Sequence, residues 1–186
     1  MIKKEEDKKM RTVQPVEFKK AFMETMEPAK SMLLKKWHGR LGEFTALMRT
    51  YFQRIAPKLQ LEIYNGDYYT LDAVFYETKD TKHFDQTTTY VHYIAIALEH
   101  ENNIVGAYTE MNKLQLFNSP LKVLITYASK SEHDAYLEEY SEMIKSADVF
   151  EDFSTHKKQL VVFGDEVDGQ VSWYFYQFVD GKFSEI

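Results

Sequence analysis

The segment Leu121–Tyr127, LKVLITY, constrains the fold more than any other stretch, because almost all of its residues are apolar. A strand of this composition is typical of one buried on both faces of a sheet. Residues 107–118 before it have a helical pattern that ends at Asn118, Ser119 and Pro120. A strand reached through a helix joins its sheet by a crossover connection, so we expect a mixed α/β sheet.

The first third of the chain has the apolar spacing of helices. Residues 16–37 form one such region, which Pro28 is expected to end or kink. Residues 41–56 form the clearest amphipathic helix of the chain, with apolar side chains every three or four positions, and Pro57 closes it. We therefore expect helices to precede the sheet.

Strand patterns follow. Residues 59–77 hold two β-type runs around the sequence Asn-Gly-Asp at 65–67, a strong hairpin signal. Residues 78–86 look like a polar connection, and residues 87–99, rich in β-branched and aromatic side chains, predict one long third strand. The mixed sheet is thus expected to begin antiparallel.

The C-terminal third predicts a helix and a hairpin. Residues 131–147 have a helical pattern, with Ser131 as the expected N-cap. Strands are expected at 158–164 and 171–179, joined near Asp168-Gly169. We expect a single α/β domain over residues 13–186, preceded by a disordered charged arm over residues 1–12.

Composition indicates a globular protein with a sizeable core, since 44% of the residues are hydrophobic and 15% aromatic. There are no cysteines, which excludes disulfides and thiolate metal sites. No apolar run follows the charged start MIKKEEDKKMR, and no stretch approaches the roughly 18 apolar residues of a membrane span. A cytoplasmic protein without membrane association is the expectation.

Charge is unevenly distributed along the chain. Residues 1–58 carry 14 Lys and Arg against 7 Asp and Glu, whereas residues 59–186 carry 9 against 22. A basic segment can attract phosphate groups even in an acidic protein. The alternative is that these lysines and arginines lie on solvated helix faces.

Acidic side chains stand at related positions on two predicted strands. Alternation places Asp72 on the face of Val74 within its strand, and Glu99 and Glu101 on one face of the next, with His100 opposite. If these strands are neighbours, the three carboxylates converge at one end of the sheet, where a hard cation such as Mg²⁺ would relieve their repulsion. Solvated acids at strand ends are the alternative.

The order of elements over residues 41–127, α-β-β-β-α-β, resembles the core of the restriction-endonuclease-like fold. In that PD-(D/E)XK superfamily the first acid lies on the second core strand and the (D/E)-x-K sequence on the third. Here YTLDAVFY supplies Asp72, and IALEHEN supplies Glu99 and Glu101. The fold expected from this resemblance is a mixed sheet with added N-terminal helices and a C-terminal helix plus β-hairpin.

The resemblance implies hydrolysis of phosphodiester bonds in DNA with Mg²⁺ or Mn²⁺ as cofactor, and Asp72, Glu99 and Glu101 as catalytic and metal-binding residues. Some superfamily members add a metal-binding glutamate from the first core helix, a role that would fall to Glu43. The basic residues expected to contact the DNA backbone are Lys35, Lys36, Arg40, Arg49 and Arg54.

Two departures from the motif stand out. Leu71 takes the place of its proline, and Glu101 takes the place of its lysine. A minority of restriction enzymes carry Glu-x-Glu here, and others supply the lysine from the following helix, where Lys113 lies three residues after Glu110. The alternative for Lys113 and Glu110 is an exposed ion pair on the helix surface.

A catalytically inactive member of the same fold that binds protein or nucleic acid is the second interpretation, and its partner could be another protein or a second copy of the chain. The missing motif lysine favours it, as does the aromatic stretch VSWYFYQF, in which Tyr174 and Tyr176 would form an interaction patch if exposed. His100 is interpreted as structural because it faces away from the glutamates.

Overall fold

The computed structural model describes residues 11–64, 66–78, 81–83, 89–149 and 157–186. Most of the charged arm expected at residues 1–12 lies outside the described residues. Its last two residues are described, and Arg11 forms an ion pair with Glu17 at 3.1 Å.

Five α-helices occur among the described residues. A short 3₁₀ helix at Glu27–Ala29 contains Pro28 and separates the first two helices, as the proline predicted. Pro57 lies in the last turn of the third helix, which ends one residue later. The helices are α1 at Pro15–Met26, α2 at Lys30–Trp37, α3 at Leu41–Lys58, α4 at Ala107–Gln115 and α5 at His133–Ala147.

Seven of the described strands form one mixed sheet, and two others form a small separate hairpin. The strands are β1 at Glu62–Ile63, β2 at Ala73–Tyr76, β3 at Thr81–His83, β4 at Thr89–Val91, β5 at Ile96–His100, β6 at Leu121–Tyr127, β7 at Lys158–Val167, β8 at Gln170–Val179 and β9 at Lys182–Glu185. The order in the large sheet is β1-β2-β5-β6-β7-β8-β9, and β3 pairs with β4.

The sheet is mixed, as predicted. The pairs β1–β2 and β2–β5 are antiparallel, β5–β6 and β6–β7 are parallel, and β7–β8 and β8–β9 are antiparallel. The crossover through α4 brings β6 parallel to β5, and every residue of β6 is buried. The prediction that LKVLITY forms a strand buried on both faces of the sheet is therefore confirmed.

The long third strand expected at residues 87–99 is wrong. Thr89–Val91 pairs with Thr81–His83, a segment expected to be a polar connection, and only Ile96–His100 joins the large sheet. Two further details differ from expectation. The backbone N–H of Ser129 donates to Glu132, so the helical region begins earlier than Ser131, and β9 adds an edge strand that was not predicted.

The two faces of the sheet are covered by different helices. One hydrophobic cluster joins α1, α2 and α3 to the sheet, and the other joins α4 and α5 to the opposite face. Phe22 of α1 contacts Trp173 and Phe175 of β8, with ring centroids 4.9 and 5.5 Å away. Burial on both faces accounts for the apolar composition of the central strands.

Tyr174 and Tyr176 do not form an exposed patch. Tyr174 is half-buried and Tyr176 is buried, and both rings contact His133 at the start of α5. The hydroxyl of Tyr176 lies 2.9 Å from His133 Nδ1. The exposure on which the interaction patch depended is therefore absent at these two tyrosines, because α5 covers that side of β8.

No described helix has the combination of length and apolar composition needed to cross a membrane.

A buried lysine lies at the start of β6. Lys122 is almost fully buried and donates a 3.4 Å hydrogen bond to the side chain of Gln115. Burial, together with the neighbouring charge of Lys157, lowers the pKa of Lys122 to about 7, and Asp148 opposes this shift. Burial disfavours the ammonium form in the folded state. Below its shifted pKa the charged Lys122 therefore lowers the free energy of unfolding.

We expect Lys122→Met to stabilise the protein most below pH 7, on the order of 5 kcal/mol in the free energy of unfolding. Between pH 7 and 10.5 only the unfolded chain keeps Lys122 charged, so the stability of the original protein rises and the advantage of the variant shrinks. Urea unfolding over this pH range measures the difference, with Lys158→Met as control on the neighbouring strand. A constant difference across the range would contradict the expected titration.

Candidate active site

Asp72 and Glu99 stand opposite each other at one end of the sheet. Ala73 pairs with Leu98 in the antiparallel register of β2 and β5, which sets Asp72, just before β2, across from Glu99. Directly opposed residues on neighbouring antiparallel strands project from the same face. Glu99 lies on the face covered by α4 and α5, because Ala97, two residues earlier on β5, packs in that cluster, whereas the Asp72 carboxylate reaches Arg49 of α3.

Glu99 is a buried acid. Its side chain is 1% exposed, and the Nζ of Lys113 lies 2.8 Å from its Oε1. Burial raises the pKa of Glu99 to about 9, with Lys113 opposing this shift and the carboxylates of Asp72 and Glu110 adding to it. This pKa already includes the effect of Lys113, so Glu99 keeps its proton near neutral pH unless a further cation favours its ionised form.

Lys113 supplies the cation from helix α4. Its Nζ contacts the carboxylates of Glu99 and Glu110 and donates a 3.0 Å hydrogen bond to the carbonyl of Thr70. Burial alone would lower the pKa of Lys113, but the bonds to Glu110 and Glu99 raise it above its ordinary value. The Lys113 side chain is only 22% exposed, and it contacts Glu99 as well as Glu110. The Lys113–Glu110 pair is therefore part of a larger cluster and not an isolated surface ion pair.

Asp72 is held from two sides. Its Oδ2 accepts a 3.0 Å hydrogen bond from the backbone N–H of His100, and its Oδ1 lies 3.5 Å from Arg49 on α3. Arg49 also bonds to Asp67. Arg49 was expected to contact a DNA backbone, whereas its contacts here position Asp72. At 24% exposure, the Asp72 side chain remains accessible.

His100 points to the opposite face, as expected. Its Nε2 lies 2.9 Å from the hydroxyl of Tyr127, and its ring packs beside Phe44 and Phe52. Burial lowers the pKa of His100 to about 4, so the ring is neutral near pH 7. These contacts fit its interpretation as a structural residue that fixes the end of β5.

The carboxylate of Glu101 is held by the turn leading into α4. Its Oε1 accepts a 2.8 Å hydrogen bond from the N–H of Asn103. The side chain also lies against Gly106, where an added Cβ would come within 3.0 Å of the Glu101 carboxyl carbon. Glu101 follows the end of β5, so strand alternation alone did not determine where its carboxylate points.

Glu43 lies in the first turn of α3, and its carboxylate forms an ion pair with Lys36 at 2.7 Å. Both side chains are exposed at about half of their surface. Among the described residues, no group of three or more His, Asp and Glu side chains is arranged to hold a metal ion. The structure therefore brings together Asp72, Glu99 and Lys113 from the expected set, with Glu101 and Glu43 engaged elsewhere.

The two opposed carboxylates still have the donor chemistry that Mg²⁺ uses. This ion is commonly held by one or two carboxylates, with water and substrate phosphate completing its shell. Asp72 and Glu99 provide such a pair, and a cation between them would favour the ionised form of Glu99. The residues present fit a cation shared with a phosphate group.

Two contributors to the site carried no signal in the sequence. Arg49 looked like one of several surface basic residues, and its pairing with Asp72 depends on how α3 packs beside β2. The Thr70 carbonyl meets Lys113 because residues 69 and 70 form a tight turn, although neither residue is the Gly or Asn that usually marks one.

No protein-family model matches this chain, and no curated protein matches its sequence.

Proposed function

We propose that this protein is a divalent-metal-dependent nuclease of restriction-endonuclease-like fold that hydrolyses phosphodiester bonds in DNA. The observation that carries the proposal is the juxtaposition of Asp72 with Glu99 across β2 and β5, with Lys113 Nζ 2.8 Å from the buried carboxylate. Two acids and a lysine at one strand end are the functional groups of the PD-(D/E)XK motif.

The strand order supports the fold half of the proposal. Strands β1, β2 and β5 are neighbours in an antiparallel arrangement, and β6 follows parallel to β5 after α4. Helix α3 precedes this set and packs beside β1 and β2. This is the α-β-β-β-α-β order expected over residues 41–127, with the β3–β4 hairpin inserted between the second and third core strands.

The proposed chemistry divides the work among three side chains. A bound Mg²⁺ or Mn²⁺ would polarise the scissile phosphate and lower the pKa of a coordinated water. Asp72 and Glu99 would supply carboxylate oxygens to this ion, and Arg49 and the N–H of His100 fix the position of Asp72. Lys113 stabilises negative charge that develops on the phosphate, or orients the attacking water.

Lys113 takes the part of the motif lysine in this proposal. Its ammonium reaches Glu99 from α4, whereas the carboxylate of Glu101 is bonded to the turn at Asn103. Glu101 then supports the loop that precedes α4, and Glu43 lies outside the site. DNA would approach the accessible side of Asp72, with the basic side chains of the N-terminal helices contacting its backbone.

A catalytically inactive binding module is the second candidate, and one observation favours it. Lys113 already lies 2.8 Å from Glu99 Oε1, so the buried acid has a cationic neighbour without a metal ion. In that case the three side chains would form a permanent ion cluster in the core of a binding domain. The two candidates differ in whether the cluster takes up a divalent cation.

Plasmid nicking tests the nuclease proposal. We expect purified protein to nick supercoiled plasmid with Mg²⁺ or Mn²⁺ and to lose this activity with chelator, because two carboxylates alone do not activate water. Titration calorimetry with Mn²⁺ should show binding to the same protein. Absence of both nicking and Mn²⁺ binding would favour the binding module.

A further inference from the structure

A tight turn at Tyr68–Leu71 presents an aromatic side chain beside the candidate active site. The N–H of Leu71 donates to the carbonyl of Tyr68 at 3.1 Å, and the N–H of Tyr68 donates back to Leu71 at 3.4 Å. Tyr69 and Thr70, the two central residues, have φ angles of 50° and 72°. The turn ends one residue before Asp72.

The conformation of this turn is unfavourable for its sequence. Two consecutive positive φ angles favour Asn and Gly, and a β-branched residue such as Thr70 is rare in this region. Backbone strain of this type persists where surrounding contacts hold it, and it concentrates at ligand-binding sites. Here Lys113 holds the turn through its hydrogen bond to the Thr70 carbonyl, so the strained segment is tied directly to the Glu99 cluster.

The turn exposes the Tyr69 side chain, which rests on the ring of Tyr68. Tyr69 is 72% exposed, and its ring stands edge-on against Tyr68, with centroids 4.8 Å apart. Tyr68 contacts Tyr64 on its other side and is anchored through its hydroxyl to the backbone of Val91. We call Tyr64, Tyr68, Tyr69 and the flanking Tyr90 the tyrosine patch.

One end of the tyrosine patch borders the candidate active site. At the other end, Tyr90 is 42% exposed and precedes Val91, whose backbone bonds to the Tyr68 hydroxyl. Tyr64 borders a small cavity of about 100 Å³ that Arg49 and Asp72 also line. The tyrosine patch therefore adjoins the proposed phosphate-binding site.

We propose that Tyr69 stacks on an unpaired nucleobase next to the phosphodiester held by Asp72, Glu99 and Lys113, and that the substrate is single-stranded or locally unpaired DNA. This inference rests on the proposed nuclease function and specifies its substrate. Tyr69 is a specificity-determining residue in this account, since it contacts the base and not the reacting phosphate.

The charge of the protein favours an unpaired strand over a duplex. Duplex DNA carries one negative charge per roughly 1.7 Å of its axis, twice the density of one of its strands, so a net charge of −6 opposes duplex binding more than single-strand binding. Stacking on aromatic rings contributes to binding independently of protein charge, and it requires a base whose face is free. A base paired inside a duplex cannot offer its face to Tyr69 without first leaving the stack.

Binding of a fluorescein-labelled single strand, measured by anisotropy in chelator, tests this inference. We expect Tyr69→Asn to weaken binding about tenfold, the loss of one base–aromatic stack, and Tyr69→Phe to retain most of it. In a single strand that carries 2-aminopurine, the fluorescence of this base should be quenched by the original protein and not by Tyr69→Asn. Leu116→Ala, which removes another exposed apolar side chain, should leave binding unchanged.

Thermal unfolding separates stacking from a structural role of Tyr69. Asn is favoured at positive φ, so Tyr69→Asn should unfold at the same temperature as the original protein or at a higher one. The inference is overturned if the protein cleaves DNA but Tyr69→Asn binds single strands normally, or if duplex is bound and cleaved better than single strand. Loss of binding together with a large drop in unfolding temperature in both Tyr69 variants would also overturn it. A protein that neither cleaves nor binds DNA would instead refute the proposed function, and this inference with it.

Discussion

Asp72→Ala is expected to reduce metal-dependent DNA cleavage by at least about a thousandfold, because it removes one of two carboxylates available to the cation. The variant should remain folded. Arg49 keeps its bond to Asp67, and the N–H of His100 loses one acceptor, a cost of about 1 kcal/mol in the free energy of unfolding. Initial rates of plasmid nicking at saturating Mn²⁺ measure the effect.

Two further variants make the result specific to this carboxylate. Asp72→Asn keeps a side-chain oxygen that can accept the His100 N–H, so it should fold normally and still lose cleavage. Asp67→Ala removes the other carboxylate bonded to Arg49 and should keep nicking activity within about fivefold, since Asp67 has no place in the proposed chemistry. Equal activity in Asp72→Ala and the original protein would refute the assignment of Asp72.

Lys113→Met is expected to reduce cleavage by about a hundredfold to a thousandfold, because it removes the positive charge aimed at the phosphate. It also leaves Glu99 buried without its 2.8 Å partner, so we expect the free energy of unfolding to fall by about 1–3 kcal/mol. Both quantities are needed, because a purely structural ion pair predicts a loss of stability with no effect of Lys113→Met on DNA cleavage. Single-turnover cleavage and urea unfolding give the two quantities.

The adjacent position on α4 offers a matched control. Asn112→Met introduces the same side chain at an exposed site one residue away, and it should change neither cleavage nor stability appreciably. Lys113→Arg keeps the charge in a larger, planar group and should retain folding while recovering only part of the rate. Full activity in Lys113→Met would contradict the role given to Lys113 and would redirect attention to Glu101.

The helices, the mixed sheet and the main acidic pair were accessible from sequence because they depend on local periodicity. Alternation along the strands assigned Asp72 and Glu99 to one face, and the crossover into LKVLITY required a parallel neighbour. Lys113 lies on α4, the helix that follows β5. For the helices and strands a regular pattern within one element carried the information, whereas Lys113 became a candidate only through the family resemblance.

The remaining features depend on contacts between elements. Thr89–Val91 leaves the predicted third strand because a partner at Thr81–His83 is available, which strand propensity alone does not reveal. Glu101 turns toward Asn103 because the strand has already ended. The Tyr69–Thr70 turn lacks Gly and Asn, so turn preferences gave no sign of it.

A crystal structure of the protein soaked with Mn²⁺, with anomalous scattering used to locate the metal, tests the central claim most directly. The account predicts a Mn²⁺ ion bound by carboxylate oxygens of both Asp72 and Glu99, with Lys113 beside it and Glu101 still bonded to the turn at Asn103. A Lys113–Glu99 ion pair that persists at saturating Mn²⁺, with no metal at Asp72, would contradict it.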